Sequence, residues 1–254
     1  MNATSKHPIA RLALPAILAL ALTACGKSAD NPAAQATPAS APAPSLADLK
    51  DPAAVAKVAE AALPKGDAAI PTSNYRKVDS GHQVMFLYFA MANLPVPYED
   101  IAQDFSSDYG RTSDSFKRND IVSALKPRID QEIAGAKGGR YIFTEQQDNS
   151  LLERYNFEKK SFAIKEFADS GRYTYFSDNS KYTLATTNNG QFTSFRVQDE
   201  AKARQIEGYL SKYAQLRLQT YAYVQDADPS NRRVKLQVMK VRLLDPAGEV
   251  LAEI

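Results

Sequence analysis

Tryptophan is absent from the 254-residue chain, and cysteine occurs once, at Cys25. A single thiol closes no intramolecular disulfide and builds no cysteine-based metal site, so stability has to come from a packed core. Histidine is almost as scarce: His7 and His82 alone are too few for zinc held by histidines. No glycine-rich phosphate loop occurs, and Gly138-Gly139 lacks the spacing of a dinucleotide or P-loop fingerprint. Nothing in the sequence calls for a cofactor or a metal. Long apolar runs are missing too, since the uncharged stretch from Leu12 to Gly26 falls short of the roughly 20 residues that a bilayer-spanning helix needs. Excess charge is the last absence. The 31 basic residues face 29 acidic ones, a balance without the electrostatic footprint of a nucleic-acid binder.

The N-terminal part carries an export pattern. Lys6 and Arg11 form a positive region, Leu12 to Ala21 an apolar one with Pro15 inside it, and small residues precede Cys25. A plain cleaved secretory signal has the same order. The ending Leu22-Thr23-Ala24-Cys25-Gly26 resembles the lipobox of bacterial lipoproteins. That resemblance implies a diacylglyceryl group on the Cys25 sulfur, cleavage just before Cys25, and a membrane partner reached through the lipid. Removing Lys6 and Arg11 leaves 29 basic against 29 acidic residues, so the mature chain carries no net side-chain charge.

Composition divides the remainder. Residues 1–24 read as the signal, and 25–45 as the lipidated cysteine followed by an Ala/Pro-rich tether. Such a tract buries too little apolar surface to offset its ordering entropy, so disorder is expected. As a coil of roughly 20 residues it spans about 25 Å on average. Residues 46–70 read as a short helix and linker, with Asp51 as N-cap, Pro52 at the first helical position and Pro64 beyond the end. Its apolar face, Val55, Val58, Ala59 and Ala62, is thin. Residues 71–254 are expected to form a single domain.

Within that domain Ser80 to Gln83 offers a capping box, and Val84, Leu87, Tyr88 and Met91 recur at helical spacing with Met85, Phe86 and Phe89 on the other side. This is a core helix, stopped by Leu94-Pro95-Val96-Pro97. A second helix is predicted from Tyr98 to Phe105. A third, starting at Asp114, places Ile121, Leu125, Ile129 and Ile133 on one stripe, kinked or split at Pro127 and stopped at Gly138-Gly139. Strands follow at Tyr141–Thr144, Leu151–Phe157 and Phe162–Phe167, the last two joined by a Glu158-Lys159-Lys160 hairpin. Asn189-Gly190 predicts a type I′ hairpin between Tyr182–Thr186 and Phe192–Val197. A helix over Asp199–Lys212 precedes alternating strands at Leu216-x-Leu218, Val234-x-Leu236-x-Val238 and Glu249–Ala252. The expected fold is α+β, with N-terminal helices packed on an antiparallel sheet that ends in a β-meander.

Chemistry has few candidates. His82 lies beside Asp79 and Ser80, which suggests a Ser-His-Asp set; yet triads converge from separate segments, whereas these three share one helix start. Asp226-Ala227-Asp228-Pro229-Ser230-Asn231 alternates oxygen ligands like a calcium loop, but Asn231 stands where glycine is needed and Gln237 where a bidentate glutamate belongs. A hairpin turn needs the same residues. Of the 13 tyrosines, Tyr141, Tyr155, Tyr173, Tyr175, Tyr182, Tyr221 and Tyr223 fall in predicted strands, where aromatic pairs pack across strands. Tyr221 and Tyr223 lie opposite Leu216 and Leu218, making them the candidate binding surface.

Asn74-Tyr75, Ser80 to Ala90, Leu125-Lys126-Pro127, Tyr155-Asn156-Phe157 to Phe162 and the terminal strands are similar to proteobacterial envelope lipoproteins whose C-terminal domain has no assigned activity. The resemblance implies lipidation of Cys25 and no catalytic residue. In enteric lipoproteins an aspartate after the cysteine retains the protein in the inner membrane; Gly26 stands there, which implies the periplasmic face of the outer membrane. Where Lys27 and Ser28 are read instead, the inner membrane or the cell surface are the alternatives. The expectation is a non-catalytic lipoprotein that binds a protein or envelope component, with an envelope hydrolase working through His82 or carboxylates as the competing class.

Overall fold

The computed structural model describes residues 51–169 and 171–254; the signal, Cys25 and the 27–45 tether lie outside these residues. The first helix, α1 (Pro52–Ala61), starts at the expected proline, and Val55 and Val58 on its thin apolar face each remain 39% exposed. The stretch read as linker packs against the domain: Gln225 Nε2 donates to Pro64 O at 2.9 Å, and Gly66 N–H to Gln237 Oε1 at 2.9 Å. A two-residue strand, β1 (Arg76–Lys77), follows.

Local side chains start the helices. Ser80 Oγ accepts from Gln83 N–H at 3.2 Å, while Gln83 Oε1 accepts from Asp79 N–H at 2.9 Å. This is a capping box whose return arm reaches one residue further back than usual. Helix α2 (Gly81–Ala92) ends where Asn93 adopts φ 50°, a left-handed stop that asparagine tolerates. Helices α3 (Tyr98–Phe105) and α4 (Ser107–Arg111) lead to α5 (Ser115–Gly138), whose N-cap Asp114 accepts from Phe116 and Lys117 N–H. Helix α5 runs unbroken through Pro127, so the expected split does not occur. Proline removes the partner of the Ser123 carbonyl, and both residues are exposed, so that carbonyl is open to solvent. Along the predicted stripe Ile129 is buried, with Leu125 and Ile133 packed beside it.

The second half supplies β2 (Tyr141–Asp148), β3 (Ser161–Ala163), β4 (Tyr173–Phe176), β5 (Asn179–Thr186), β6 (Ser194–Arg196), α6 (Glu200–Ser211), β7 (Leu216–Asp228), β8 (Arg233–Leu244) and β9 (Val250–Glu253). The main sheet has seven strands in the order β1-β2-β7-β8-β5-β4, with β9 also on β8. It is mixed rather than antiparallel, because β1 runs parallel to β2 and β5 parallel to β8. The terminal strands do form an antiparallel β7-β8-β9 meander. Strand β8 is long enough to hold β5 along Thr183–Thr186 and β9 beyond Arg242.

One expected hairpin keeps its turn but loses strand length, since the strand expected over Phe162–Phe167 ends at Ala163, and a second is replaced. Leu151–Phe157 makes only isolated bridges, Leu152 with Ile164 and Asn156 with Ser161, around a turn at 157–160. Asn189 and Gly190 have no positive φ and form a 3-10 turn instead of a type I′ hairpin. Tertiary bonds hold that turn. Asn188 Nδ2 donates to Val238 O at 2.9 Å and its Oδ1 accepts from Val238 N–H at 2.8 Å. The side-chain amide acts as a short piece of strand on β8, and Asn189 is buried, donating to Asp169 O at 3.1 Å. Strand β6 therefore pairs with β3.

Two apolar clusters share the β7-β8 hairpin. One gathers Val84, Leu87, Ile101 and Ile129 with Ile142, Leu184, Val224 and Val234, and Met91 packs half-buried at its margin. The other gathers Phe162, Phe195, Ile206 and Leu210 with Leu216, Leu218, Val241 and Leu243.

Candidate functional site

Tyr88 and Phe89 sit near the end of α2, where the Leu94–Pro97 segment turns the chain into α3. Together with Asp100, Gln103 and Asp104 of α3, Lys181 and Tyr182 of β5 and Arg232 of the β7-β8 turn, they line a cleft of about 420 Å³. That is the size of a small-ligand site. Lys181 Nζ reaches both Asp104 carboxylate oxygens, at 2.7 and 3.0 Å, so these charges compensate each other. The side chains of Arg232 and Asp100 make no hydrogen bond or ion pair among the described residues, although the Arg232 main-chain oxygen accepts from Thr183 N–H at 3.2 Å. The Tyr88 and Tyr182 rings are buried, with centroids 5.2 Å apart. Burial raises the pKa of each phenol, and the nearby Arg232 charge opposes that rise.

His82 stands behind this cleft. Its Nδ1 lies 2.9 Å from Asp178 Oδ2 and its Nε2 3.0 Å from the Asp104 main-chain oxygen. A carbonyl only accepts, so Nε2 carries a proton in that contact. A general base needs a ring lone pair aimed at the group it deprotonates, and neither nitrogen offers one. The expected neighbours are engaged elsewhere: Ser80 caps the helix, and Asp79 pairs with Lys77 at 3.5 Å. The carboxylate that reaches His82 is Asp178, 96 positions away in the β4-β5 turn. No local sequence signal links the two.

Asp178 also caps α2, accepting from Gly81 N–H at 2.8 Å and His82 N–H at 3.3 Å. Gly81 permits that approach, since a Cβ there would lie 2.2 Å from Asn179 O. Burial pushes the Asp178 carboxyl up, but these N–H groups and the His82 ring outweigh it and hold it below the ordinary aspartate range. A value lowered by folding contributes stability that is complete above the ordinary range and lost as pH falls through the folded value. Asp178→Asn is therefore expected to reduce the loss of stability between about pH 5 and pH 3, measured by urea unfolding. An unchanged acid dependence would contradict this account of the cap.

The other candidates resolve structurally. Residues 229–232 form the β7-β8 turn, and Asp228 accepts from Ser230 N–H, Asn231 N–H and Asn231 Nδ2 at 3.0, 3.4 and 2.7 Å. Its carboxylate thus serves the turn, and Gln237 bonds Gly66. Among the described residues no group of three or more His, Cys, Asp or Glu could hold a metal. Tyr221 is 5% exposed, stacked on Phe143 and edge-on to Tyr75, while Tyr223 is half-buried against Tyr141. The chain itself covers them: Asp67 N–H donates to Tyr141 OH at 2.8 Å, and Gly66 lies so close that a Cβ would come within 2.7 Å of Tyr223. Sequence reasoning passed over Arg232, Asp100 and Tyr88 as cleft residues. The one available signal was the proline-rich break Leu94–Pro97 shortly after the aromatics Tyr88 and Phe89. No protein-family model, curated protein or solved structure matches the chain.

Proposed function

We propose that this chain is a lipoprotein of a bacterial envelope, held on the periplasmic side of the outer membrane through Cys25, whose domain binds a protein or envelope component without catalysis. One observation carries the anchor: Leu22-Thr23-Ala24-Cys25-Gly26 closes a short apolar stretch behind Lys6 and Arg11 and holds the only thiol. Binding without catalysis is supported by His82, whose ring nitrogens both face oxygen acceptors, and by the neighbouring cleft with its unpaired polar groups. In this reading α2 to α5 form a layer over the sheet and steady the cleft rim. A hydrolase using His82 is the second reading, favoured by the pairing with Asp178 from another segment.

Sucrose-gradient fractionation tests the location. The protein is expected with outer-membrane markers, and Gly26→Asp is expected to move most of it to the inner membrane. Recovery of the unsubstituted protein with inner-membrane markers would defeat the assignment. Crosslinking in the native envelope separates the two classes: His82→Gln should leave the captured partner unchanged if the domain only binds.

A further inference from the structure

We propose that the cleft between α3, β5 and the β7-β8 turn binds the free carboxylate end of a peptide, with Arg232, Tyr88 and Tyr182 holding the carboxylate. The first observation is the backbone of Arg232, which has φ 52°. This left-handed position closes the hairpin turn and suits glycine or asparagine, which adopt it with little strain. A long cation there is unfavourable to the turn itself, and its exposed guanidinium has no hydrogen-bond or ion-pair partner among the described residues. Lys160 and Tyr213 share this backbone state; what sets Arg232 apart is that it also lines the cleft.

The second observation is what surrounds that cation. Tyr88 and Tyr182 are 4% and 7% exposed, yet both line the cleft and neither hydroxyl has a hydrogen-bond partner among the described residues. Both phenols feel the Arg232 charge. Two hydroxyl donors beside a guanidinium match the two oxygens of a carboxylate, which a planar fork recognises by paired charge-assisted bonds. Lys181 does not compete, because Asp104 already takes its charge.

The remaining wall decides between anions. Asp100 lines the same cleft with no ion-pair partner among the described residues and would repel a doubly charged phosphate more than a singly charged carboxylate. Leu94 and Pro95 stand exposed at the rim and offer an apolar seat for the terminal side chain. Asp100, uncompensated, can accept from a main-chain N–H of the same peptide. The inference rests on the reading of the domain as a binding module and is independent of the lipid anchor.

The test uses the full chain in detergent micelles and fluorescence anisotropy of Ala-Ala-Leu carrying a dye on its α-amino group. The free acid is expected to bind, and its C-terminal amide to bind at least about tenfold more weakly. Arg232→Gly should lower affinity by about tenfold or more while leaving the thermal midpoint unchanged or raised, because glycine relieves the left-handed strain. Arg232→Asn should behave the same way. Equal binding of acid and amide, full binding by Arg232→Gly, or no binding at about 10 mM peptide would each overturn the proposal. Inorganic phosphate displacing the peptide at equal concentration would overturn it in favour of a plain anion site. A chain that binds the peptide but takes up no palmitate keeps this site and loses the anchor; a lipidated chain that ignores the peptide does the reverse.

Discussion

Cys25→Ser is expected to abolish incorporation of labelled palmitate and to leave the protein unprocessed or released from the membrane. A serine hydroxyl does not replace the sulfur that accepts the diacylglyceryl group, so the loss is complete rather than partial. Without residues 1–24 the sequence has no net side-chain charge, and among the described residues no helix is long and apolar enough to cross a membrane. Acyl chains contribute about 0.8 kcal/mol for each buried CH₂, and more than one chain is needed for stable anchoring. Metabolic labelling followed by immunoprecipitation reads the result directly. Palmitate in the serine variant would sink the assignment of Cys25.

Leu87→Ala is expected to cost about 2–5 kcal/mol of folding stability. Leu87 is 0% exposed on α2, a helix buried on nearly every side, and belongs to the cluster that joins α3 and α5 to Ile142, Leu184 and Val224. Truncation removes the transfer energy of the lost carbons and leaves a cavity that packed neighbours close only in part. Leu94, 44% exposed, is the internal control, and Leu94→Ala should stay within about 0.5 kcal/mol of the parent. Urea unfolding with an unchanged slope checks both variants. A cost for Leu87 as small as that for Leu94 would contradict the placement of α2 in the core.

Most helix boundaries were readable from sequence because each is set within a few residues, although the five-residue α4 was not expected. Ser80, Asp114 and Asp199 all accept from main-chain N–H groups two or three positions ahead. Asn93 and the prolines after it stop α2 in the same local way. The alternation of Val234, Leu236 and Val238 survives as β8 for a similar reason: one side of the strand faces the apolar clusters. Asn189-Gly190 misled because its local turn preference competed with distant partners. Asn188 gains two bonds to Val238 and Asn189 one to Asp169, and these outweigh an intrinsic preference worth little by itself.

The sequence by itself determined the lipobox-like ending at Cys25, the α+β class, the helix starts and the terminal meander, all of which depend on composition, period or neighbours a few residues apart. Only the tertiary structure decided the mixed sheet, the pairing of His82 with Asp178, the covering of Tyr221 and Tyr223 by residues 64–75, and the meeting of Tyr88, Tyr182 and Arg232 in one cleft. Those features join residues from well-separated segments, as β1 joins β2 and α2 meets the β4-β5 turn. Their energies come from burial and hydrogen bonding that exist once the chain has closed on itself, and no short stretch of sequence carries them.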